Sequence, residues 1–102
     1  MRILPDTITF QWDSGNTHKN LIKHNVSTQE AEEVFTQRPF LTSKDIKHSS
    51  RTERRFHGLG QTKNKRKLQI TFTIREEKIR IISVRDMDKK ERSQYEEAKD
   101  NT

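Results

Sequence analysis

Four side chains could move protons during a reaction, and these are Glu53, His57, Glu91 and Tyr95. Metal-independent cleavage of RNA needs such groups, because a base takes the proton of the 2′-hydroxyl and an acid protonates the departing 5′-oxygen. No pair among the four has a spacing that is diagnostic of this reaction. A single histidine in a strand is more often structural, and Glu91 could pair with a nearby lysine. The four residues alone therefore leave the chemistry open.

Three arginines near the end of the chain, Arg80, Arg85 and Arg92, are suited to binding phosphate. Their planar guanidinium groups match two phosphate oxygens, and a pentacoordinate transition state needs cations directed at its developing charge. The alternative is that each arginine pairs with a carboxylate close to it in the sequence, such as Asp86, Asp88 or Glu91. For one arginine we favour the salt bridge slightly, and for the whole set we favour phosphate binding.

The densest run of cations consists of Lys63, Lys65, Arg66 and Lys67. Such a run is usually a solvated loop, but this one lies next to the polar face of the predicted sheet, which also carries Arg75. We therefore predict that the run and Arg75 contact an RNA backbone. Contacts of this kind add affinity that depends strongly on salt, and they carry no sequence specificity.

The overall charge agrees with a polyanionic partner. The 102 residues include 21 Lys and Arg against 15 Asp and Glu, which gives a net charge of +6. A solvated basic surface without a ligand explains this charge equally well. Only 27% of the residues are apolar, but they occur in periodic clusters, which favours a folded chain over a disordered one. We expect one domain over residues 1–102, with an ordered core of roughly 7–99.

Several classes of site are disfavoured by the composition. The chain has no Cys, which excludes disulfides and zinc sites built from Cys. The histidines lack metal-ligand spacing, no acidic cluster resembles a two-metal nuclease site, and no glycine-rich phosphate loop is present. We therefore expect no metal and no cofactor. The first residues do not resemble a signal peptide and no segment is long enough to span a membrane, so we expect a cytoplasmic protein without membrane contacts.

The spacing of apolar residues predicts the elements that position these side chains. Residues 7–12 alternate like a strand, 16–23 are predicted to form a short helix, and His24 with Asn25 a turn. Ser27 and Glu30 form a capping box, which starts a helix that ends before Pro39.

The second half of the chain is predicted to be mainly strands. Residues 40–43 and 53–59 have weaker strand character, 68–74 and 79–84 are the two best strands, and 88–99 form a charged helix. A run of strands with helices before and after it predicts an α+β fold, a small twisted antiparallel sheet with helices packed on one face.

The last two strands are predicted to form a hairpin closed by Arg75 and Lys78. In that register Thr73 opposes Arg80, Phe72 opposes Ile81 and Thr71 opposes Ile82. One face is then apolar, with Leu68, Ile70, Phe72, Ile74, Ile79 and Ile81. The other face carries hydroxyls and cations, with Lys67, Gln69, Thr71, Thr73, Arg75 and Arg80. A one-residue slip would invert Arg80, so its orientation depends on this turn.

Several segments occur in a specific order that covers residues from about 7 to 98. They are Phe10-Gln11-Trp12-Asp13, Asn16, Lys19-Asn20, Lys23-His24-Asn25-Val26-Ser27, Glu30-Ala31-Glu32-Glu33-Val34-Phe35, Glu53-Arg54, Gly60, Thr62, Arg66 with Leu68, Phe72-Thr73, Ile79-Arg80-Ile81-Ile82-Ser83-Val84-Arg85-Asp86-Met87, Lys90-Glu91-Arg92 and Tyr95. Together they resemble the BrnT toxin family. The chain departs from the common pattern of that family at Ser14, Asn16, Asn25 and Val84.

The resemblance implies a fold similar to RelE-type ribonucleases and an RNA-cleaving activity that arrests translation, at the ribosome or on free RNA. It also implies an antitoxin partner with a ribbon-helix-helix portion, through which alone the complex would contact DNA. By this likeness several candidate residues occupy family-typical positions, which are Glu53, Arg54, Arg80, Arg85, Glu91, Arg92 and Tyr95. Arg54 thereby joins the predicted RNA contacts.

Two other hypotheses account for parts of the same pattern. A non-catalytic module that binds nucleic acid would explain the charge, but not the acid and base residues near the arginines. A degenerate toxin that keeps only antitoxin binding would explain why the last predicted helix has so few apolar residues. An RNA cleavage assay in EDTA separates the first of these from a nuclease, and expression with and without a neighbouring antitoxin gene tests the second.

Overall fold

The computed structural model describes residues 4, 5, 7–16 and 24–101. Its elements are α1 (Thr28–Val34), β1 (Leu41–Asp45), β2 (Arg55–Gln61), β3 (Lys67–Arg75), β4 (Lys78–Asp86) and α2 (Lys89–Asp100). The four strands form one antiparallel sheet in the order β1-β2-β3-β4, which confirms the predicted α+β class. The predicted helix over 16–23 and most of the predicted frayed ends lie outside the described residues, although 14–16 are helical.

Helix α1 begins at the predicted capping box. The Ser27 hydroxyl accepts from the Glu30 amide at 3.1 Å, and the Glu30 carboxylate accepts from the Ser27 amide at 3.0 Å. Before the cap, Asn25 has a φ of 52°, as expected for a turn residue that tolerates the left-handed region. The helix buries Ala31 and Val34 against the sheet.

The predicted strand over residues 7–12 is reduced to one bridge. Phe10 pairs in parallel with Ile79. The Gln11 amide donates to the Ile79 carbonyl at 2.9 Å, and the Ile79 amide donates to the Thr9 carbonyl at 2.8 Å. The ladder ends there because the next residue is turned toward α1, where the Trp12 indole donates to the Glu32 carboxylate at 2.6 Å.

The β3–β4 hairpin has the predicted turn and a partly different register. Glu76 and Glu77 form the turn with φ values of 50° and 64°, and Thr73 pairs with Arg80 and Phe72 with Ile81 as predicted. Thr71, however, pairs with Ser83 and not with the predicted Ile82. A β-bulge in β4 adds one residue at this point, and beyond it every side chain of β4 points to the face opposite to the one that regular alternation predicts.

The apolar face of the sheet is covered by α1 and by aromatic side chains. All the predicted apolar-face residues are buried in the core or packed against it, and Val84 joins them because of the bulge. The Phe35 ring lies 4.8 Å from that of Phe40 and 5.2 Å from that of Phe72. The backbone of β2 approaches this layer closely, since a Cβ atom at Gly58 would lie 2.5 Å from the Phe40 ring. A side chain at that position would displace the aromatic cluster.

The C-terminal helix contacts the polar face, so the two helices do not share one face as the sequence predicts. Lys67 and Arg85 belong to the polar face, and they pair with Glu96 and Glu91 of α2 at 2.5 and 2.8 Å. Asp88 reverses the chain direction after β4 through a second capping box, in which its carboxylate accepts from the Glu91 amide at 2.8 Å. The turn therefore folds α2 back over the hydroxyl-bearing side of the sheet.

Candidate active site on the polar face of the sheet

The polar face is organised in rows across the strands, because residues paired on neighbouring strands point to the same side. The central row consists of Ser43, His57, Thr71 and Ser83. The row nearer the β3–β4 turn consists of Asp45, Arg55, Thr73 and Arg80, and the row on the other side consists of Leu41, Leu59, Gln69 and Arg85.

The β-bulge brings the two arginines of β4 to the same face. Arg80 and Arg85 are five residues apart, so regular alternation would place them on opposite sides of the sheet. The extra residue restores the match, because Arg80 pairs with Thr73 and Arg85 with Gln69. The two guanidinium groups therefore belong to the rows on either side of His57.

His57 is held at both ring nitrogens by its neighbours on the sheet. Its Nε2 lies 3.1 Å from the Asp45 carboxylate, and its Nδ1 lies 2.9 Å from the Gln69 amide nitrogen and 3.1 Å from the Thr71 hydroxyl. These contacts fit a neutral ring with its proton on Nε2, shared with Asp45, and a lone pair on Nδ1. The side chain is 38% exposed, so it remains accessible from the polar face.

Asp45 orients His57 and anchors the loop that follows β1. Its carboxylate accepts from the backbone amide of His48 at 3.2 Å and from the His48 ring at 2.9 Å. Burial raises the pKa of the Asp45 carboxyl, but the hydrogen bonds and charge of His48 outweigh this effect and leave the pKa lowered. Asp45 is therefore a carboxylate at neutral pH, as the contact with His57 Nε2 requires.

Arg80 and Arg85 are each paired with a carboxylate. Arg80 binds both oxygens of Asp13, at 2.7 and 3.1 Å, and its side chain is 17% exposed. Arg85 binds both oxygens of Glu91, at 2.8 and 3.0 Å. The hydrogen bonds that Arg80 donates to Asp13 and Arg85 donates to Glu91 raise the pKa of the two guanidinium groups. A phosphate that binds these guanidinium groups must share them with, or displace, the two carboxylates.

The remaining predicted proton-transfer residues are less accessible to a substrate. Glu91 closes the α2 capping box while it binds Arg85. Glu53 pairs with Arg75 and Arg55, and the hydrogen bond from Arg75 is the main cause of its lowered pKa. Tyr95 is fully buried, its hydroxyl donates to the Pro39 carbonyl at 2.6 Å, and burial raises its pKa.

The other predicted cations do not form one cluster. Arg66 binds Asp86 at 2.8 Å and Glu30 at 3.2 Å and donates to the Asn25 carbonyl, so it joins the start of α1 to the end of β4. Arg92 donates to the Met87 carbonyl at 2.7 Å. Among the cations predicted to contact RNA, Lys63, Lys65 and Arg54 are exposed and have no side-chain partner in the described part of the chain.

A groove of about 560 Å³ opens beside His57, between the sheet and α2. On the sheet side it is lined by Leu41, Ser43, His57 and Leu59, and on the helix side by Gln94, Glu97, Ala98 and Asn101. We call it the amide groove, after Gln94 and Asn101. It lies within the range of volumes that small-molecule sites occupy.

Three residues of the site region were missed by sequence reasoning. Asp45 and Gln69 hold the ring of His57, and they could have been found only from the pairing of β1 with β2 and of β2 with β3. Asn16 is buried and donates to the Gln11 and Ile81 carbonyls at 3.1 and 3.0 Å, which ties the N-terminal segment to β4. Its signals in the sequence were its position shortly after Asp13 and its place among the segments that carry the family resemblance.

Within the described residues, no group of three or more acidic or histidine side chains is arranged to hold a metal ion. None of the helices in that same part of the chain is long and apolar enough to cross a membrane.

A comparison with curated proteins finds no match. The family model described as the ribonuclease toxin, BrnT, of type II toxin–antitoxin systems matches residues 12–91. This span includes His57, Asp45, both arginines of β4 and Glu91. The chain therefore belongs to the BrnT family of ribonuclease toxins from type II toxin–antitoxin systems.

Proposed function

We propose that this protein is an endoribonuclease that cleaves RNA without a metal ion, and that it inhibits translation in the cytoplasm until an antitoxin neutralises it. The observation that carries the proposal is the position of His57 between the rows of Arg80 and Arg85 on one accessible face. A proton acceptor between two phosphate-binding cations is the minimum that cleavage by the 2′-hydroxyl requires.

In the proposed reaction, Nδ1 of His57 takes the proton of the ribose 2′-hydroxyl. The 2′-oxygen then attacks the adjacent phosphorus, the bond from phosphorus to the 5′-oxygen breaks, and water supplies a proton to that oxygen. The hydroxide that remains takes the proton from Nδ1, which restores the base. The products are a 2′,3′-cyclic phosphate and a 5′-hydroxyl end. Asp45 keeps the ring proton on Nε2, so that Nδ1 carries the lone pair, which is the role an aspartate takes beside a catalytic histidine. To act as the base, Nδ1 exchanges its hydrogen bond from the Gln69 amide for one from the 2′-hydroxyl.

Arg80 and Arg85 bind the phosphate and stabilise its added charge in the transition state. Their charge is permanent at neutral pH, and the hydrogen bonds that they donate to Asp13 and Glu91 raise the pKa of Arg80 and Arg85 further. Arg54, Lys63 and Lys65 are exposed, and we assign to them the weaker, salt-dependent contacts with the flanking RNA. Because its hydroxyl donates to the Pro39 carbonyl, we assign Tyr95 a structural role and no proton transfer.

The test is cleavage of a single-stranded RNA in excess EDTA by the wild type and by His57→Gln. We expect cleavage by the wild type to persist in EDTA, and the variant to be slower by about 10²–10⁴-fold, the usual contribution of a general base. Gln61→Ala, in the same strand and on the same face, is the control and retains activity. Full activity of His57→Gln would rule out the assigned base, and loss of wild-type cleavage in EDTA would rule out the metal-free mechanism.

The antitoxin is the proposed second partner, through a ribbon-helix-helix portion that contacts DNA. Expression of the chain alone should arrest growth, and co-expression with the short neighbouring reading frame should restore it. Adding ribosomes to the cleavage assay distinguishes activity on free RNA from activity at the ribosome.

A further inference from the structure

The amide groove is not used by the reaction described above, although it begins at His57. One of its walls consists of Gln94, Glu97 and Ala98 of α2 and of Asn101, the residue that caps the C-terminus of this helix, with the spacing i, i+3, i+4 and i+7. This spacing puts all four side chains on one face of the helix. A helix that only covered a sheet would place apolar residues in such a stripe, whereas this one presents two amides and a carboxylate.

The wall formed by α2 is fixed in place by two contacts besides the pair of Arg85 with Glu91. The Tyr95 hydroxyl binds the Pro39 carbonyl, at the residue before Phe40 and β1. Lys67 of β3 binds the Glu96 carboxylate at 2.5 Å. The groove is therefore a formed feature of the fold, with both of its walls attached to the same sheet.

The lining of the groove selects against phosphate and in favour of a flat, uncharged ring. No Lys or Arg lines it, and Glu97 adds a carboxylate that repels an anion. Leu41, Leu59 and Ala98 offer apolar surface for a ring face, while Gln94 and Asn101 offer a donor and an acceptor each. This combination of apolar walls and a few polar groups is that of sites for unpaired bases.

We propose that the amide groove binds a nucleobase next to the cleaved phosphate and prefers adenine or cytosine. An amide side chain pairs with the exocyclic amine and ring nitrogen of adenine or cytosine, and equally with the carbonyl and ring N–H of uracil, so Gln94 and Asn101 hold the base without selecting it. The preference comes from Glu97, whose carboxylate only accepts hydrogen bonds and therefore favours an amine over the uracil oxygen. The Glu97 carboxylate accepts from the same amine. The proposal rests on the proposed function, since it assigns the sequence preference of that same site.

The first experiment measures binding of 2′-O-methyl oligonucleotides of adenine, cytosine or uracil, which lack the attacking hydroxyl and cannot be cleaved. Fluorescence anisotropy should show that wild type binds the adenine or the cytosine oligomer at least about tenfold more tightly than the uracil oligomer, as expected when one hydrogen bond from the exocyclic amine to the Glu97 carboxylate is present or absent. Gln94→Leu combined with Asn101→Leu should remove this difference. Gln29→Leu, on the exposed side of α1, is the matched control and should keep it.

The second experiment fills the groove with Ala98→Phe and maps the cut sites of a long transcript. We expect the position-dependent preference of the wild type to be lost, with thermal unfolding measured in parallel to establish that the variant is folded. Equal binding of all three oligomers by the wild type overturns the proposal, and so does a preference that survives both the amide and the groove-filling variants. If Ala98→Phe weakens antitoxin binding and leaves the base preference intact, the groove is an antitoxin site and the proposal is wrong.

Failure of the base site and failure of the nuclease give different results. Cleavage without any base preference retains the nuclease and overturns the base site. A base preference that depends on Gln94 and Asn101, without cleavage, overturns the nuclease and retains the base site.

Discussion

The assigned site depends most on two side chains, Arg80 and Arg85, and on whether they can bind phosphate. Each forms a two-point pair with a carboxylate, which is also the geometry in which arginine binds phosphate. The Asp13 side chain is 51% exposed, so the Arg80 pair lies at the surface and contributes little to stability. A surface carboxylate of this kind is one that an RNA phosphate can displace.

The double variant Arg80→Ala with Arg85→Ala should abolish growth arrest and leave the fold intact. Each lost cation should reduce cleavage by about 10²–10³-fold, because it removes stabilisation of charge that develops in the transition state. The measurements are the growth of expressing cells, the cleavage rate and thermal unfolding. Arg38→Ala, an exposed arginine after α1, should remain toxic. Toxicity in the double variant would contradict the site assignment.

Replacement of Asp13 should strengthen RNA binding, whereas replacement of the arginines weakens the site. Asp13→Asn keeps the hydrogen bond that the Asp13 side chain accepts from the Gly15 amide at 2.9 Å, but it removes the negative charge that competes for Arg80. We expect the variant to bind single-stranded RNA several-fold more tightly at low salt and the gain to shrink as salt is added, as for one additional phosphate contact. Titrations at two salt concentrations measure both effects, and unchanged affinity would show that Arg80 does not contact RNA.

Among the elements, the β3–β4 hairpin shows how far periodicity alone can predict the site. The two-residue turn and the pairs near it follow from the alternation of 68–74 and 79–84. The bulge does not follow, because Ile81 and Ile82 are both apolar and either could continue the buried row. Without the bulge, Arg85 is predicted on the wrong face, and so is the relation between Arg85 and His57.

In the helices too, features set by neighbouring residues can be predicted from the sequence, whereas features set by packing between distant residues cannot. The capping boxes of α1 and α2 are local sequence patterns. The spacing of Asp88 and Glu91 indicates the second one as clearly as Ser27 and Glu30 indicate the first, although only the first is among the predictions. The packing of α2 on the polar face could not be predicted from the sequence, because Tyr95 and Ala98 are its only apolar residues and do not define a packing face. Its position depends on the buried Tyr95, which contacts the Pro39 carbonyl, and on the pair between Glu96 and Lys67, and both partners are distant in the sequence from the helix.

A substitution in the turn of the β3–β4 hairpin should stabilise the fold without changing the site. Glu76 and Glu77 both have positive φ, a region that costs a non-glycine residue roughly 1–2 kcal/mol. Glu77→Gly should therefore raise the free energy of unfolding by about 1 kcal/mol, as measured in urea. Glu97→Gly, in the interior of α2, is the matched control and should lower the free energy of unfolding. A destabilised Glu77→Gly protein would mean that the turn does not have this conformation.

In the whole molecule, Arg66 joins parts of the fold that the sheet does not connect directly. It contacts Asp86 at the end of β4, Glu30 in α1, and the His24 and Asn25 carbonyls before α1. Its side chain is 28% exposed, so these hydrogen bonds are partly shielded from water. A cation that the sequence assigns to RNA binding thus holds the first helix to the sheet.

Acid should therefore destabilise the protein through this cluster. Hydrogen bonding to Arg66 is the main cause of the lowered pKa of Asp86, and the Ser27 amide followed by Arg66 lowers that of Glu30. Because both values lie below the unfolded ones of 3.8 and 4.5, the unfolded chain binds protons first as the pH falls. The stabilisation is thus complete at neutral pH and declines as the pH falls below about 4.

Arg66→Gln separates this effect from general acid denaturation. At pH 7 we expect the variant to lose about 2 kcal/mol of unfolding free energy, the scale of hydrogen bonds to charged groups. At pH 3 the difference from wild type should be smaller, because the carboxylates are then partly protonated in both proteins. Lys65→Gln, at an exposed position beside it, should match wild type at both values. A loss that is equal at pH 7 and pH 3 would mean that Arg66 acts through its backbone carbonyl contacts alone.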